Sequence, residues 1–268
     1  MHIQVNIPQT NEPIREILIA RLAEQADGFE EDGDTLKVFF RQENFDDASI
    51  SELTTSYGLQ INISKIAPQN WNALWESNFD PVVIGNFAAI RADFHEPIKG
   101  VAHEIIITPK MSFGTGHHAT THQMISQMQQ LDFTGKTVFD FGTGTGILAT
   151  LAHQLGATSV LATDNDEWSI ANARENFERN GIQDILLKLS DTAVQNGSFD
   201  IILANINKNV LLETIPSLAA QLAPDGTLLL SGLLREDKDD ICASCGQTGL
   251  KLHGESEMNN WIALRFKR

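Results

Sequence analysis

Residues 137–148 read Thr-Val-Phe-Asp-Phe-Gly-Thr-Gly-Thr-Gly-Ile-Leu, and residues 160–164 read Val-Leu-Ala-Thr-Asp. Val138, Phe139 and Phe141 suit a buried strand, Gly142, Gly144 and Gly146 suit the turn after it, and Ile147 opens a helix. No other stretch constrains the fold so tightly. Three glycines in five positions sacrifice chain entropy for a backbone that can approach a ligand and adopt positive φ. Asp164 closes the next strand, where a carboxylate can accept hydrogen bonds from both hydroxyls of a ribose. Together the two segments predict a site for a nucleoside-containing cofactor.

The spacing narrows the choice of cofactor. A Walker-type loop ends in Gly-Lys-Ser/Thr, whereas Gly146 is followed by Ile147-Leu148. A dinucleotide fingerprint needs G-x-G-x-x-G, and here the third glycine comes one position early. G-x-G-x-G behind the acidic Asp140 resembles motif I of S-adenosylmethionine (SAM) methyltransferases. On the loop, Asp140 and Asp164 alone, SAM leads and a nicotinamide cofactor stays open. If SAM is the ligand, the glycines would make room for its methionine portion.

The chain has 268 residues, enough for one large domain, or one large and one small. Its apolar runs are short, so no membrane span is expected, and residues 1–7 lack the basic and apolar regions of a secretory signal. With only two cysteines, a reducing cytoplasmic setting is the expectation. Cys242-Ala-Ser-Cys245 has redox-motif spacing but no second pair or nearby histidine cluster, which favours two incidental thiols over zinc or thioredoxin chemistry. The formal charge of −16 argues against direct nucleic-acid binding, which rests on Lys and Arg neutralising phosphates, and for a basic partner.

Two regions follow from the patterning. Residues 1–66 alternate and repeat as β-α-β-β-α-β, with Asp32-Gly33-Asp34 as a hairpin turn, a ferredoxin-like α+β arrangement. Twelve acids oppose five bases there, leaving −7, either a solvated acidic face or a dock for a basic protein. A linker helix is expected over 67–79, pinned by Trp71 and Trp75. Residues 80–268 begin with short strands near 82–84, 87–91 and 103–108. From Lys136, strands at 137–141, 158–163, 185–190, 199–204 and 227–231 alternate with helices near 147–155, 167–180, 208–222 and 236–246. Two closing strands are expected at 250–253 and 261–266. The fold class is α/β, a Rossmann-like, doubly wound sheet with ligands at the carboxyl ends of its strands.

Two further segments carry chemistry. Residues 109–122, Pro-Lys-Met-Ser-Phe-Gly-Thr-Gly-His-His-Ala-Thr-Thr-His, hold a flexible turn and the start of a helix. His118 and His122 are four apart, but no third ligand stands at a suggestive distance, so no metal is expected. The hydroxyls of Thr120 and Thr121 look like helix caps, and the segment reads as a lid, with Thr121 touching the cofactor. Residues 199–206, Phe-Asp-Ile-Ile-Leu-Ala-Asn-Ile, end a strand in Asn205, where a carboxamide can orient an amine towards a sulfonium methyl. The alternative is a strand-end cap. Amino-group methyltransferases commonly continue Pro-Pro-aromatic there. Its absence disfavours a planar base as substrate and suits a flexible amine such as lysine.

Met111-Ser-Phe-Gly-Thr-Gly-His117, Thr120-Thr121, Asp140-Phe-Gly142, Asp164-Asn-Asp166 and Ala204-Asn-Ile206 together resemble the ribosomal protein L-eleven methyltransferases, over essentially the whole chain. The resemblance implies a class I methyltransferase domain behind a small substrate-recognition domain and a mobile helical linker. It implies repeated SAM-dependent methylation of lysine ε-amines and the N-terminal α-amine of one large-subunit ribosomal protein, L-eleven. Carried over by position, Thr121, Gly142, Asp164 and Asn205 contact SAM, with Gly144 from the loop beside them. Gly142-Thr-Gly-Thr-Gly146 departs mildly from the family's Gly-Cys-Gly-Ser-Gly, and His118-Ala-Thr-Thr121 departs from His-Pro-Thr-Thr. Catalysis is expected to rest on Asn205 orienting a neutral amine and Phe113 excluding water, with no carboxylate at the point of transfer. A SAM enzyme acting on another protein, a nucleic acid or a small-molecule amine is the alternative, and a monomer is expected.

Overall fold

The computed structural model describes residues 2–23, 25–66, 79–109 and 115–268. Its contacts divide the chain into two units, 1–78 and 79–268. Residues 67–78 of the expected linker helix, Trp71 and Trp75 included, lie outside the described residues, as does Phe113.

In the first unit the elements run β1 (His2–Ile7), α1 (Glu12–Leu22), β2 (Gly28–Asp32), β3 (Thr35–Arg41), α2 (Asp47–Ser56) and β4 (Asn62–Ile66). The strand order is β2-β3-β1-β4, antiparallel throughout. Alternation sets the face. Val5 pairs with Val38 and Ile3 with Phe40, so Ile3, Val5, Ile7, Leu36, Val38 and Phe40 are buried together, under Leu18 and Leu22 of α1 and Ile50 of α2. Asn11 caps α1 by accepting the Ile14 N–H, and Asp46 caps α2 by accepting that of Ala48. The turn between β2 and β3 is Gly33-Asp34, with Gly33 at φ +62°. Helix α1 stops at Leu22, and β4 starts at Asn62.

The second unit opens with β5 (Val82–Ile84), β6 (Ala88–Ala92) and β7 (His103–Ile107), which form their own three-stranded sheet. Then come α3 (Ala119–Met128), β8 (Thr137–Phe141), α4 (Ile147–Gln154), β9 (Ser159–Asp164), α5 (Glu167–Arg179), β10 (Leu186–Leu189), β11 (Phe199–Asn205), α6 (Lys208–Ala220), β12 (Leu222–Leu234), α7 (Lys238–Gln247), β13 (Lys251–Met258) and β14 (Trp261–Lys267). The main sheet is ordered β10-β9-β8-β11-β12-β14-β13. Strands β10, β9, β8, β11 and β12 are parallel, and β14 runs antiparallel between β12 and β13. Because helices cover both faces, the central strands are apolar on both sides: Val138, Phe139, Ile202 and Leu203 are fully buried. Strand order reverses between β8 and β11, and in such sheets a ligand crevice opens at that reversal.

Two differences from the pattern reading have local causes. Strand β12 begins at Leu222, five residues earlier than expected. Ala223 to Gly226 form an irregularity inside it, with Asp225 at φ +59°, so a segment resembling a helix end and loop belongs to the strand. The last two strands form a hairpin through Asn259-Asn260, both at positive φ (53° and 66°), the turn that matches the twist of paired strands.

Among the described residues, strand β7 has a sheet partner on one side only. Helix α5 serves the other. Asn172, Asn176 and Asn180 recur every fourth residue, a rise of about 6 Å that matches two strand residues at about 6.6 Å. Asn180 accepts the Ile106 N–H at 2.9 Å and donates to the Ile106 carbonyl at 2.7 Å. Asn176 accepts the Thr108 N–H at 2.7 Å, and Asn172 donates to the Thr108 carbonyl at 3.1 Å. The amide of Asn176 also reaches the Thr145 carbonyl in the glycine turn, at 2.8 Å. One buried carboxamide therefore ties the end of β7 to that turn. Asn176→Ala leaves two buried backbone groups unpaired, and urea unfolding should show a loss of about 2–4 kcal/mol.

Candidate functional site

The described residues expected to face a cofactor gather at the carboxyl edge of the sheet, around the reversal between β8 and β11. Leaving β8, the turn wraps the end of β9: the N–H groups of Gly142 and Thr143 both donate to the Thr163 carbonyl at 2.9 Å. Gly142 and Gly146 adopt φ of +75° and +80°. A Cβ on Gly142 would collide with Ile206, and one on Gly146 would lie 2.6 Å from the Phe177 ring. These two glycines admit protein side chains, from the segment after β11 and from α5, so their role exceeds the room for a ligand that the spacing suggests.

Asp164 stands at the end of β9. Its Oδ2 accepts the Gly144 N–H at 2.8 Å and its Oδ1 accepts the Asp166 N–H at 3.1 Å. Each oxygen keeps a second lone pair, so the carboxylate is oriented by backbone and still able to receive two hydroxyls. Asp166 itself caps α5 through the N–H groups of Trp168 and Ser169.

Asn205 ends β11, paired in register with Ser231 of β12. Its amide donates to the Thr121 hydroxyl at 3.3 Å, while its Oδ1 is buried with no partner among the described residues. The cap of the following helix is its neighbour Asn207, which accepts the Val210 N–H at 3.2 Å. An acceptor oxygen held in place and left unsatisfied is costly unless a donor arrives.

Along α3 the assignment changes. His118 is the N-cap, its Nδ1 accepting the Thr120 N–H at 3.3 Å, and Thr120 and Thr121 are buried in the first turn, correcting their expected capping role. His118 Nδ1 also lies 2.8 Å from the Thr120 hydroxyl. His117 turns away, its Nε2 on the Asp80 carbonyl at 2.8 Å and its ring against Phe79. Among the described residues no three His, Cys, Asp or Glu side chains gather to hold a metal ion.

Gly142, Gly144, Asp164, Thr121 and Asn205 line one cavity of about 450 Å³, together with Asn165, Ser169, Ile206, Gly232, His118 and Trp261. That size is within the range of small-molecule sites. Among the described residues, Asp164 is the one carboxylate in its wall. Trp261 and Gly232 escaped the sequence reading, and His118 was weighed there only as a metal ligand and as part of the lid. The available signals are the Asn259-Asn260 turn, which starts a strand at Trp261, and a glycine late in the apolar run of β12. The residues fit SAM: a carboxylate able to take ribose hydroxyls, a turn whose backbone forms the cavity wall and, among the described residues, no lysine or arginine for a pyrophosphate.

Asp140 lies behind the turn, fully buried. Thr143 donates to its Oδ2 at 2.6 Å, and its Oδ1 has no partner among the described residues. Burial pushes this carboxyl up to about 7, and the Asp164 carboxylate adds to the rise. Burial also raises the thiols of α7, Cys245 to about 12 and Cys242 in the same direction, which leaves them poor nucleophiles. For Asp140, the folded value exceeds the unfolded one of 3.8. Its stability contribution is therefore intact below pH ~4 and lost as pH rises through ~7. Asp140→Asn keeps the Thr143 bond and removes the buried charge. In the ligand-free protein, the stability of this variant relative to the parent should climb by up to about 4 kcal/mol between pH 4 and pH 8, measured by urea unfolding at both.

Comparison with known proteins places these residues in a family context. A family model described as "Ribosomal protein L11 methyltransferase (PrmA)" matches residues 8–268. A protein of that name from Phocaeicola vulgatus is 36% identical over 265 residues, covering 96% of this chain and 94% of its own. Another from Porphyromonas gingivalis is 44% identical over 207 residues, covering 76% and 71%. Among solved structures, the ribosomal protein L11 methylase from Lactobacillus delbrueckii subsp. bulgaricus superposes with a TM-score of 0.67 at 33% identity, covering 71% of this chain and 99% of that one.

Proposed function

The chain belongs to the ribosomal protein L11 methyltransferase family, and from that premise we propose that it methylates lysine ε-amines and the N-terminal α-amine of that large-subunit ribosomal protein, using SAM. The observation that carries this reading is the buried, unpartnered Oδ1 of Asn205 in the wall of the cavity that also holds Asp164.

When bound, SAM supplies a sulfonium methyl, already electrophilic. The chain's own residues then have to bind, align and dehydrate. Asp164, fixed by the Gly144 N–H, takes the ribose hydroxyls. Thr121 holds the amide of Asn205, which turns Oδ1 towards an arriving amine. A neutral amine donates an N–H to that oxygen and aims its lone pair at the methyl. Lysine, with an unperturbed pKa of about 10.4, must first release its proton to solvent. An apolar approach lowers that pKa, and among the described residues the amine end of the cavity carries no carboxylate to oppose it. Alignment of this kind contributes roughly 7–11 kcal/mol to rate enhancement.

Residues 1–66 form the recognition domain in this reading, 67–79 the linker, and 80–268 the catalytic domain. The net −7 of the first domain suits a basic protein, with acids on the β2–β3 hairpin at Glu30, Glu31, Asp32 and Asp34. The enzyme acts as a monomer and without direct contact to nucleic acid. Among the described residues no helix is long and apolar enough to cross a membrane.

Intact-mass analysis of ribosomal protein L11 after incubation with enzyme and SAM tests the proposal, with added masses of 14 Da per methyl as the expected outcome on chemical grounds. Absence of any added methyl overturns it. Asn205→Ala should lower kcat about 100-fold while changing the SAM dissociation constant far less, by calorimetry. Asp164→Ala should do the reverse, weakening SAM binding about 100-fold through loss of two charge-assisted hydrogen bonds.

A further inference from the structure

The cavity has two ends, and the strand order says which is which. From Asp164 on β9 the path along the carboxyl edge runs over β8, β11 and β12 to β14, which begins at Trp261. That is four strand spacings, about 19 Å, with Asn205 midway. A ligand held by its ribose at Asp164 and reaching its reactive centre at Asn205 leaves the half between Asn205 and Trp261 to the methyl acceptor. Resting on the function proposed above, we infer that the Trp261 indole is the specificity-determining residue for methylated amines, holding an amine in place for the later methyl transfers.

The backbone that presents this ring is fixed. Gln123, buried on α3, donates to the Trp261 carbonyl at 2.8 Å and accepts the Ser256 hydroxyl at 2.9 Å, so one carboxamide pins the β13–β14 hairpin to α3. The indole is half-buried and meets the His118 ring edge to face, centroids 4.7 Å apart. A half-buried tryptophan whose ring lines a cavity beside a carboxamide, with no carboxylate at that end among the described residues, is a surface for a weakly hydrated cation or alkylated nitrogen.

Hydrogen-bond arithmetic makes this ring necessary. In each transfer the lone pair of a neutral amine forms the N–C bond while the S–C bond breaks and its electron pair stays on sulfur. After the first and second transfers the product ammonium loses a proton to solvent, and after the third it is a quaternary ammonium with none to lose. A primary amine offers two N–H groups, a methylamine one, and a dimethylamine none. Asn205 Oδ1 can therefore orient the first two nucleophiles and has no donor to receive from the third. What remains to hold a dimethylamine is contact with its methyl groups, and what accommodates the quaternary product is the π face of an aromatic ring.

Two measurements test this. Mass analysis should follow mono-, di- and trimethyl products on ribosomal protein L11 with the parent enzyme, Trp261→Phe and Trp261→Met. The Met variant should lower the ratio of third- to first-transfer rates about tenfold, and the Phe variant should restore most of it, since a π surface over a cation contributes roughly two- to thirtyfold. A Met variant whose three transfers fall in proportion, or whose ratio is unchanged, overturns the inference, as does a parent enzyme that never passes the dimethyl state. The second measurement needs no variant. With S-adenosylhomocysteine present, an L11-derived peptide carrying trimethyllysine should bind the parent enzyme about tenfold more tightly than the same peptide with the quaternary nitrogen replaced by carbon. Equal affinity overturns the inference. A parent enzyme that adds no methyl to L11 at all is the separate result that removes the functional reading beneath it.

Discussion

The reversal of strand order between β8 and β11 is the constraint from which the site follows. Helices on one side of that point cross one face of the sheet, and helices on the other side cross the opposite face, so the carboxyl ends of β8 and β11 are left uncovered. The chain must turn sharply there, and positive φ at Gly142 and Gly146 allows it to do so while Ile206 and Phe177 pack against the bend. The Asp164 carboxylate then closes on the Gly144 N–H from the neighbouring strand. The turn is thus held by packing on two sides and by a carboxylate on a third. The same carboxylate has lone pairs to spare for a ligand.

Much of this was legible in the residues because local pattern and global position agree. Thr137–Phe141 appears where the apolar run and the glycines put it, and Lys208–Ala220 follows its capping asparagine. What the sequence concealed depends on partners far along the chain. Asn172, Asn176 and Asn180 look like polar residues of an exposed helix face, yet they act as the missing neighbour of β7, about 70 residues away. Trp261 looks like an ordinary strand residue, and only the insertion of β14 beside β12 brings it to the cavity. Periodicity reports which face of an element is apolar. It does not report which strand will lie alongside.

Charge is distributed unevenly between the two carboxylates of the site. Asp164 is held by two backbone N–H groups and remains open to the cavity, whereas Asp140, at the end of β8, is sealed away with a carboxyl raised to about 7. The pairing at the strand ends sets this difference: the same turn that exposes one carboxylate buries the other. A neutral Asp140 limits the repulsion between the two when no cationic ligand is present.

The acidic character of the chain and the neutrality of its acceptor end divide recognition into two ranges. A basic protein is drawn over distances comparable to the Debye length, about 8–10 Å at ordinary salt, by net charge alone. Methylation leaves a lysine able to carry its positive charge, so this long-range attraction is the same before and after each transfer and cannot tell a finished amine from an unfinished one. Discrimination has to come from groups in contact with the nitrogen. In the proposed mechanism Asn205 responds to N–H groups, because its free oxygen can accept one and its amide is already committed to Thr121. An aromatic wall responds to methyl groups and to charge spread over them. A site furnished with a carboxylate in place of either would bind the charged amine most tightly in its protonated, unreactive form. In the proposed mechanism, acids on the surface draw a basic partner from a distance, while the described residues of the acceptor end leave the nitrogen free to lose its proton.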